Sequence, residues 1–317
     1  MTSFELLAAC TLDATIGDPR AWPHPVRWMG TLTRHVERWI RSLCRSPRSL
    51  RVAGTVLALG LPSIAFCLGW ALIAAGAAIH EWLGRGIAIC LASTVLAWRD
   101  LVDHVGMVSH ALKSGSLEEA RQAVGLIVGR DTNDLSEAEV IRATVETIAE
   151  SASDGVIAPL VFLVIGGPPL ALAYKAVSTL DSMVGHRDEQ YQDFGWASAR
   201  LDDLLNWVPA RITAWLIAAA AGVVFLRTDS MLRGGAILLR DGHKHPSPNS
   251  GRPEAAMAGA LGVQLGGVNF YEGLRLDRPL LGDAIEPLSI QHLEKAQRVM
   301  TLAYLVAVMA SVRLLWR

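Results

Sequence analysis

From Val52 to Ile79 the chain reads VAGTVLALGLPSIAFCLGWALIAAGAAI, a run with no charged side chain. It is longer than the roughly 20 residues that cross a hydrocarbon core, so it predicts a membrane span. Further apolar runs follow at Gly86 to Trp98, Val156 to Tyr174, Ile212 to Leu226 and Val299 to Val312. Several are shorter than the roughly 17 residues a span usually needs, and these are expected to tilt, extend into flanking turns or re-enter. About five membrane segments result. A buried helix of a soluble protein would explain a short run alone, but less well beside a complete span. The chain is 51% hydrophobic and 19% charged, more apolar than an ordinary soluble domain, which favours the membrane reading. No long stretch alternates with period two and no repeat is present, so the expected class is all-α, a polytopic helical membrane protein forming one domain over residues 1–317.

The formal net charge of -1 leaves no bulk attraction to nucleic acid, so any electrostatic function is local. Arg27, Arg34, Arg38, Arg41, Arg45, Arg48 and Arg51 precede the first span against Glu37 alone, which places the N-terminus in the cytoplasm and the protein in the inner membrane. Leu7-Ala8-Ala9-Cys10 imitates a lipoprotein cleavage box, but Glu5 and the missing basic start argue for a short helix instead. Cys10, Cys44, Cys67 and Cys90 lack the spacing of a metal knuckle or disulfide frame.

Polar segments 99–155, 175–211 and 227–298 separate the apolar runs and are expected to converge on one site. In the first, Ser136 and Glu139 have capping-box spacing, predicting a helix from about Glu137 to about Ser151. Arg142, Glu146 and Glu150 then share a face that Asp154 continues, although an ordinary surface ion pair would use the same spacing. In the second, Lys175, Asp181, Arg200, Asp202, Asp203, Asn206 and Arg211 lie among apolar residues. They read equally as a Mg²⁺ corner or as a juxtamembrane salt-bridge net. In the third, the Ser247–Gly251 turn leads to Pro253 at a helix start with Arg252 beside it, a seat for phosphate. Gly259, Gly262, Gly266 and Gly267 imply close helix packing or close ligand approach. His243 and His245 have the spacing of metal ligands but also of plain polar surface. Near the N-terminus Pro19, Pro23 and Pro25 fix a loop displaying Asp13, Asp18, Arg20, His24 and Arg27. The chain contains no GxxxxGK[ST], GxGxxG, HExxH or GxSxG motif, and nothing supports a covalent Ser or Cys mechanism.

The segments LDATIGDPRAWPHPV, VGRDTNDL, RATVETIAESASDGVIAPL, STLDSMVGH, FGWASARLDDLLNWVPAR and HPSPNSGRPEAAMAGALGVQLGG, in this order, resemble the CobD/CbiB family of membrane-bound adenosylcobinamide-phosphate synthases. GHRDEQYQDF departs from the more basic stretch expected there. The resemblance implies joining (R)-1-aminopropan-2-ol, or its O-phosphate, to the free propionate carboxyl of adenosylcobyric acid. ATP and Mg²⁺ are implied with it, through an acyl phosphate.

Within that frame Glu146, Glu150, Asp154, Asp202 and Lys175 are the candidate catalytic residues, with Glu150, Asp202 and Asp203 for the metal. Asp13, Asp18, His24, Arg130, Asp131, Arg142, Asp181, Arg200, Asn206, His245, Ser247, Asn249, Gly251 and Gln264 are candidates for substrate and phosphate. Trp196, Trp207 and Tyr271 offer flat contact to a corrin. The partners expected are a corrinoid, aminopropanol or its phosphate, and the bilayer, with no nucleic acid. A Mg²⁺-dependent prenyl- or phospho-alcohol transferase would also use paired acids, but a single DDxxN is present. A transporter would use a break such as Gly166-Gly167-Pro168-Pro169, yet the polar segments are long for one. Glu150→Gln and Asp202→Asn are each expected to abolish cobinamide formation in a strain lacking its own enzyme while the protein stays in the membrane. Normal growth on cobyric acid would remove the residue from the mechanism.

Overall fold

A computed structural model describes residues 1–19, 23–186 and 188–316; Arg20 and Arg187 lie outside them. In chain order the helices are α1 (Ser3–Ile16), α2 (Pro25–Leu43), α3 (Pro47–Ile79), α4 (Glu81–Ser93), α5 (Trp98–Lys113), α6 (Leu117–Gly125) and α7 (Glu137–Ser151). A π-helical turn, Ala152–Ile157, joins α7 to α8 (Ala158–Val184), followed by α9 (Trp196–Leu205), α10 (Trp207–Val224), α11 (Thr228–Asp241) and α12 (Gly251–Leu261). A hairpin of β1 (Leu265–Tyr271) and β2 (Leu274–Leu281) precedes α13 (Ile290–Leu315).

The fold is all-α apart from that hairpin. Among the described residues four helical stretches are long and apolar enough to cross a membrane: Pro47–Ile79, the continuous run Glu137–Val184, Trp207–Val224 and Ile290–Leu315. The fifth expected segment, Gly86 to Trp98, falls mostly on α4. That helix has 13 residues and a length of about 20 Å, short of a hydrocarbon core of about 30 Å.

Two compact units are present. The first comprises Met1–Ala97, Ala158–Asn206 and Val308–Arg317. Here α3 packs along α8 and doubles back against α4, while α1 covers α4 and α2 lies on α8. Small residues set the α3–α4 crossing: a Cβ on Gly84 would lie 2.8 Å from the Ala77 backbone nitrogen. The apolar segment that was expected to span or re-enter is broken inside α8. Gly166 (φ -139°, ψ 15°) and Gly167 (φ 67°, ψ -165°) leave helical geometry, and Pro168 and Pro169 start the next helical piece. Only glycine visits the Gly167 conformation without strain.

The second unit comprises Trp98–Ile157 and Trp207–Ala307. Its core is built from α5, α7, α10, α12 and α13, with Val105, Ile148, Ile217, Met257 and Val299 fully buried. Almost every residue of α12 is buried, and α10, α11 and α7 all pack on it. This is possible because α12 is built from Ala and Gly. Gly259 meets the Arg233 carbonyl so closely that a Cβ would lie 2.6 Å from it, the tight-crossing reading of that glycine. Gly262 ends the helix in the left-handed region, φ 71°.

The hairpin corrects the expectation that Gly266 and Gly267 lie in a helix. Both have positive φ, 82° and 90°, and stand at an irregularity in β1. Its tip is Glu272-Gly273, with φ of 50° and 76°, the two positive values of a type I′ turn. Asp131 caps this tip, accepting hydrogen bonds from Glu272 N (3.2 Å) and Gly273 N (2.8 Å). At the far end buried Asp241 accepts from Gly282 N at 2.8 Å and from Arg240 and Lys244. The Arg240 guanidinium foremost, then Lys244 and the Gly282 N–H, hold its carboxyl well below the usual range.

Gly167→Ala is expected to cost about 1–3 kcal/mol through strain at positive φ, seen as a lower melting temperature in detergent. An unchanged melting temperature would mean that α8 tolerates an unbroken course there.

Candidate functional site

The capping box places α7. Ser136 Oγ accepts from Glu139 N, and the Glu139 carboxylate accepts from Ser136 N at 2.8 Å, so the helix runs from Glu137 to Ser151 as its spacing predicts. Glu146 and Glu150, one turn apart, both line a cavity of about 170 Å³ within the second unit. Asp154 is not among the lining residues; the π-helical turn between them widens the helix and shifts the phase of the stripe.

Glu146 is a bracket. Its carboxylate pairs with Arg130, and Oε1 accepts from Gly266 N at 2.8 Å, tying α7 to the preceding loop and to β1. Arg130 also donates to Asn269 Oδ1. Arg142 donates to the Gly266 and Val268 carbonyls and to Asn269 Oδ1, so it positions the strand and is absent from the cavity wall. Asp131 likewise serves the hairpin tip. Glu150 Oε1 accepts from Ser250 Oγ at 2.8 Å.

In the His245–Ser250 loop, His245 Nδ1 accepts from Ser247 N (3.1 Å), and Ser247 Oγ accepts from Asn249 N (3.3 Å) and Ser250 N (3.2 Å). These N–H groups, expected to cradle phosphate, are therefore used inside the loop, while His245 faces the cavity. Gly251 opens α12, and Pro253 stands at its third position, still within the first turn where a missing N–H loses no bond. Asn249 is buried, and Gln264 Nε2 donates to the Gly282 carbonyl at 3.2 Å.

Two residues that sequence reasoning missed change the cavity's chemistry. Glu254, on α12, lines it at 6% exposure, and its carboxylate has no hydrogen-bond or ion-pair partner among the described residues. Burial foremost, then the charges of Glu146 and Glu150, push its carboxyl well above the ordinary range, with Arg278 and Arg130 opposing. Arg278, on β2, also faces the cavity, its nitrogens 3.4 Å from His245 Nε2 and 3.5 Å from Tyr271 OH. No carboxylate pairs with it among the described residues. A lone acid inside GRPEAAMAGAL was the available signal for Glu254; Arg278 becomes visible only once the hairpin is known. The cavity thus offers an acid and a cation, neither of them in an ion pair among the described residues.

The first unit holds the other expected residues. Tyr174 OH donates to Asn206 Oδ1 (2.8 Å) and Asn206 Nδ2 to Asp202 Oδ2 (2.9 Å), a buried polar chain. Arg200 stands 3.8 Å from Asp203, and His24 Nε2 is 2.9 Å from Asp18. Asp13 is buried on α1, while Lys175 and Asp181 sit on α8 with intermediate exposure. Trp196 starts α9 under the Arg51 guanidinium, 4.1 Å from its ring. Trp207, in the second unit, is exposed at the start of α10. Among the described residues no three His, Cys, Asp or Glu side chains gather as a metal cluster.

A family model described as CobD/Cbib protein matches residues 6–300. The chain is 45% identical to cobalamin biosynthesis protein CobD of Klebsiella pneumoniae over 96% of its length and 94% of the relative's. It is 43% identical to cobalamin biosynthesis protein CbiB of Salmonella typhi over 97% and 95%. No solved structure matches.

Because folding raises the Glu254 pKa, the native state keeps a proton that the unfolded chain loses above about pH 4.3. Native stability is therefore penalised as pH rises through that value towards the raised pKa. Glu254→Gln is expected to raise the melting temperature by a few degrees at pH 7, with the gap closing towards pH 4. A gap that does not depend on pH would contradict the assignment.

Proposed function

The chain belongs to the CobD/CbiB family of cobalamin biosynthesis proteins, and we propose that it joins (R)-1-aminopropan-2-ol O-phosphate, or the unphosphorylated amine, to the free propionate carboxyl of adenosylcobyric acid. The observation that carries this reading is the bipolar cavity. An amine that is an ammonium ion at one end and a phosphate at the other matches Glu254 with Glu150 on one side and Arg278 with His245 on the other. Buried Glu254 then gains the charge partner it lacks, which is the condition under which a buried ion is tolerated.

Making an amide from a carboxylate needs an activated acyl group, which ATP supplies as an acyl phosphate in this scheme. Magnesium is commonly held by one or two carboxylates with phosphates and water. Among the described residues no cluster of three ligands is present, so an ion arriving with ATP would be held chiefly by the nucleotide's phosphates. The protein's own task is at the nitrogen. Glu254, ionised when the ammonium seats against it, takes one ammonium proton, and its raised pKa makes it the stronger base. The freed lone pair forms the C–N bond as the acyl C–O bond breaks and phosphate leaves; the second nitrogen proton departs to phosphate or water. Arg278 stabilises the charge on the phosphate groups. The inner membrane with a cytoplasmic N-terminus is part of the same reading, since ATP is available on that side.

Purified protein given adenosylcobyric acid, ATP, Mg²⁺ and the amine phosphate is expected to form cobinamide phosphate, detected by mass spectrometry. Glu254→Gln should lower kcat about 10²–10⁴-fold, the scale of a lost general base. Arg278→Gln should raise KM for the phosphorylated amine about tenfold or more while leaving the unphosphorylated amine unaffected. Absence of product from the wild-type protein would overturn the proposal.

A further inference from the structure

Helix α2 has three distinct faces. Met29, Gly30, Thr33 and Ile40 are buried, Gly30 lying against Met183 and Thr179 of α8. Trp28, Leu32, Trp39 and Leu43, spaced by four, seven and four, form a second stripe that nothing among the described residues covers; Trp28, Trp39 and Leu43 are 62%, 64% and 65% exposed. Arg34, Arg38 and Arg41, with Arg45 just beyond the helix end, follow a third line.

Of these arginines, Arg41 is occupied, pairing with Glu37 at 2.8 Å, donating to the Gln190 carbonyl and standing over the Tyr191 ring. Arg34 and Arg38 reach only Thr31 Oγ1 and the Arg34 carbonyl. Neither they nor Arg45 has an acidic partner among the described residues.

The chain fixes the height of this helix. Cys44 to Ser46 alone connect α2 to α3, and α3 is a membrane span. Three extended residues reach about 10 Å, so the end of α2 lies where α3 enters the hydrocarbon. Arg45, Arg48 and Arg51 mark the same level. A helix with that many arginines cannot cross the core, but an apolar stripe rich in Trp and Leu beside a cationic one is the pattern of a helix lying in the interface.

We propose that α2 lies in the plane of the bilayer surface. Trp28, Leu32, Trp39 and Leu43 sit in the acyl boundary, and Arg34, Arg38 and Arg45 bind the phosphates of anionic lipids. Charge complementarity selects anionic over zwitterionic lipid, because these three arginines have no other counter-charge among the described residues. The helix thereby ties α8, through its buried face, to the lipid composition of one leaflet.

The test uses the full-length protein in nanodiscs carrying brominated phosphatidylglycerol or brominated phosphatidylcholine diluted in unlabelled phosphatidylcholine. Tryptophan emission of the wild type is compared with that of Trp28→Phe/Trp39→Phe, both exposed positions, and the difference isolates α2. That component is expected to be quenched at low bromolipid fractions, with phosphatidylglycerol preferred about fivefold per engaged arginine at low salt. The preference should collapse to parity in 1 M salt and in Arg34→Gln/Arg38→Gln/Arg45→Gln. Equal quenching by the two lipids at low salt would overturn the anionic assignment. An α2 component that bromolipid does not quench would overturn the interfacial placement, as would disulfide crosslinking of Cys44 between two copies with Trp39 shielded.

Discussion

The second unit depends on one buried ion pair. Glu146 and Arg130 neutralise each other, and their remaining bonds to Gly266 N and Asn269 hold the hairpin against α7. Breaking such a pair from one side typically costs about 3–5 kcal/mol, because the surviving charge stays buried. The pair also decides what its neighbours can do. With Arg130 and Arg142 committed to the strand, Glu254 is left in the same cavity without an ion-pair partner among the described residues. An uncompensated acid there is destabilising by itself, and stability is given up at a site where a ligand can return it.

The division between positioning and reacting groups follows from that arrangement. Arg142 and Asp241 fix the hairpin at its root and Asp131 fixes its tip, all three through backbone groups. Side chains on such a braced hairpin keep their place as a ligand enters, and preorganised charge of this kind does most to stabilise charge developing in a reaction. The Ala- and Gly-built α12 contributes in another way. Its small residues let three helices approach its backbone, which removes water from around Glu254.

Much of this was legible in the sequence, and the exceptions have physical causes. The capping box located the start of α7, since Ser136 and Glu139 act within one helical turn. Glu146, Glu150, Arg130, His245 and Tyr271 do line one cavity, because dense polar motifs beside apolar runs are costly unless used. The hairpin was hidden because its strands are short, with Gly266 and Gly267 breaking the alternation; the Tyr-Glu-Gly-Leu turn was the one local signal. Glu254 was hidden for a different reason. A single glutamate in a helix says nothing about burial, which depends on contacts far away in sequence. The roles of Arg142 and Asp131 were inverted likewise, for charge and motif identify a group worth keeping without saying whether it holds a strand or a substrate.

The break in α8 shows how an apolar helix can be interrupted without water. Ending one helical piece and starting another ordinarily strands several backbone N–H donors at the new start, and hydrocarbon offers them nothing. Here the new piece begins with Pro168 and Pro169, which carry no N–H at all, and Gly167 turns the chain at an angle other residues resist. The donors most exposed by the break are therefore missing by chemistry. What the break adds is a set of carbonyl oxygens at the end of the first piece with no proline to replace them, a patch of partial negative charge inside an otherwise uncharged segment.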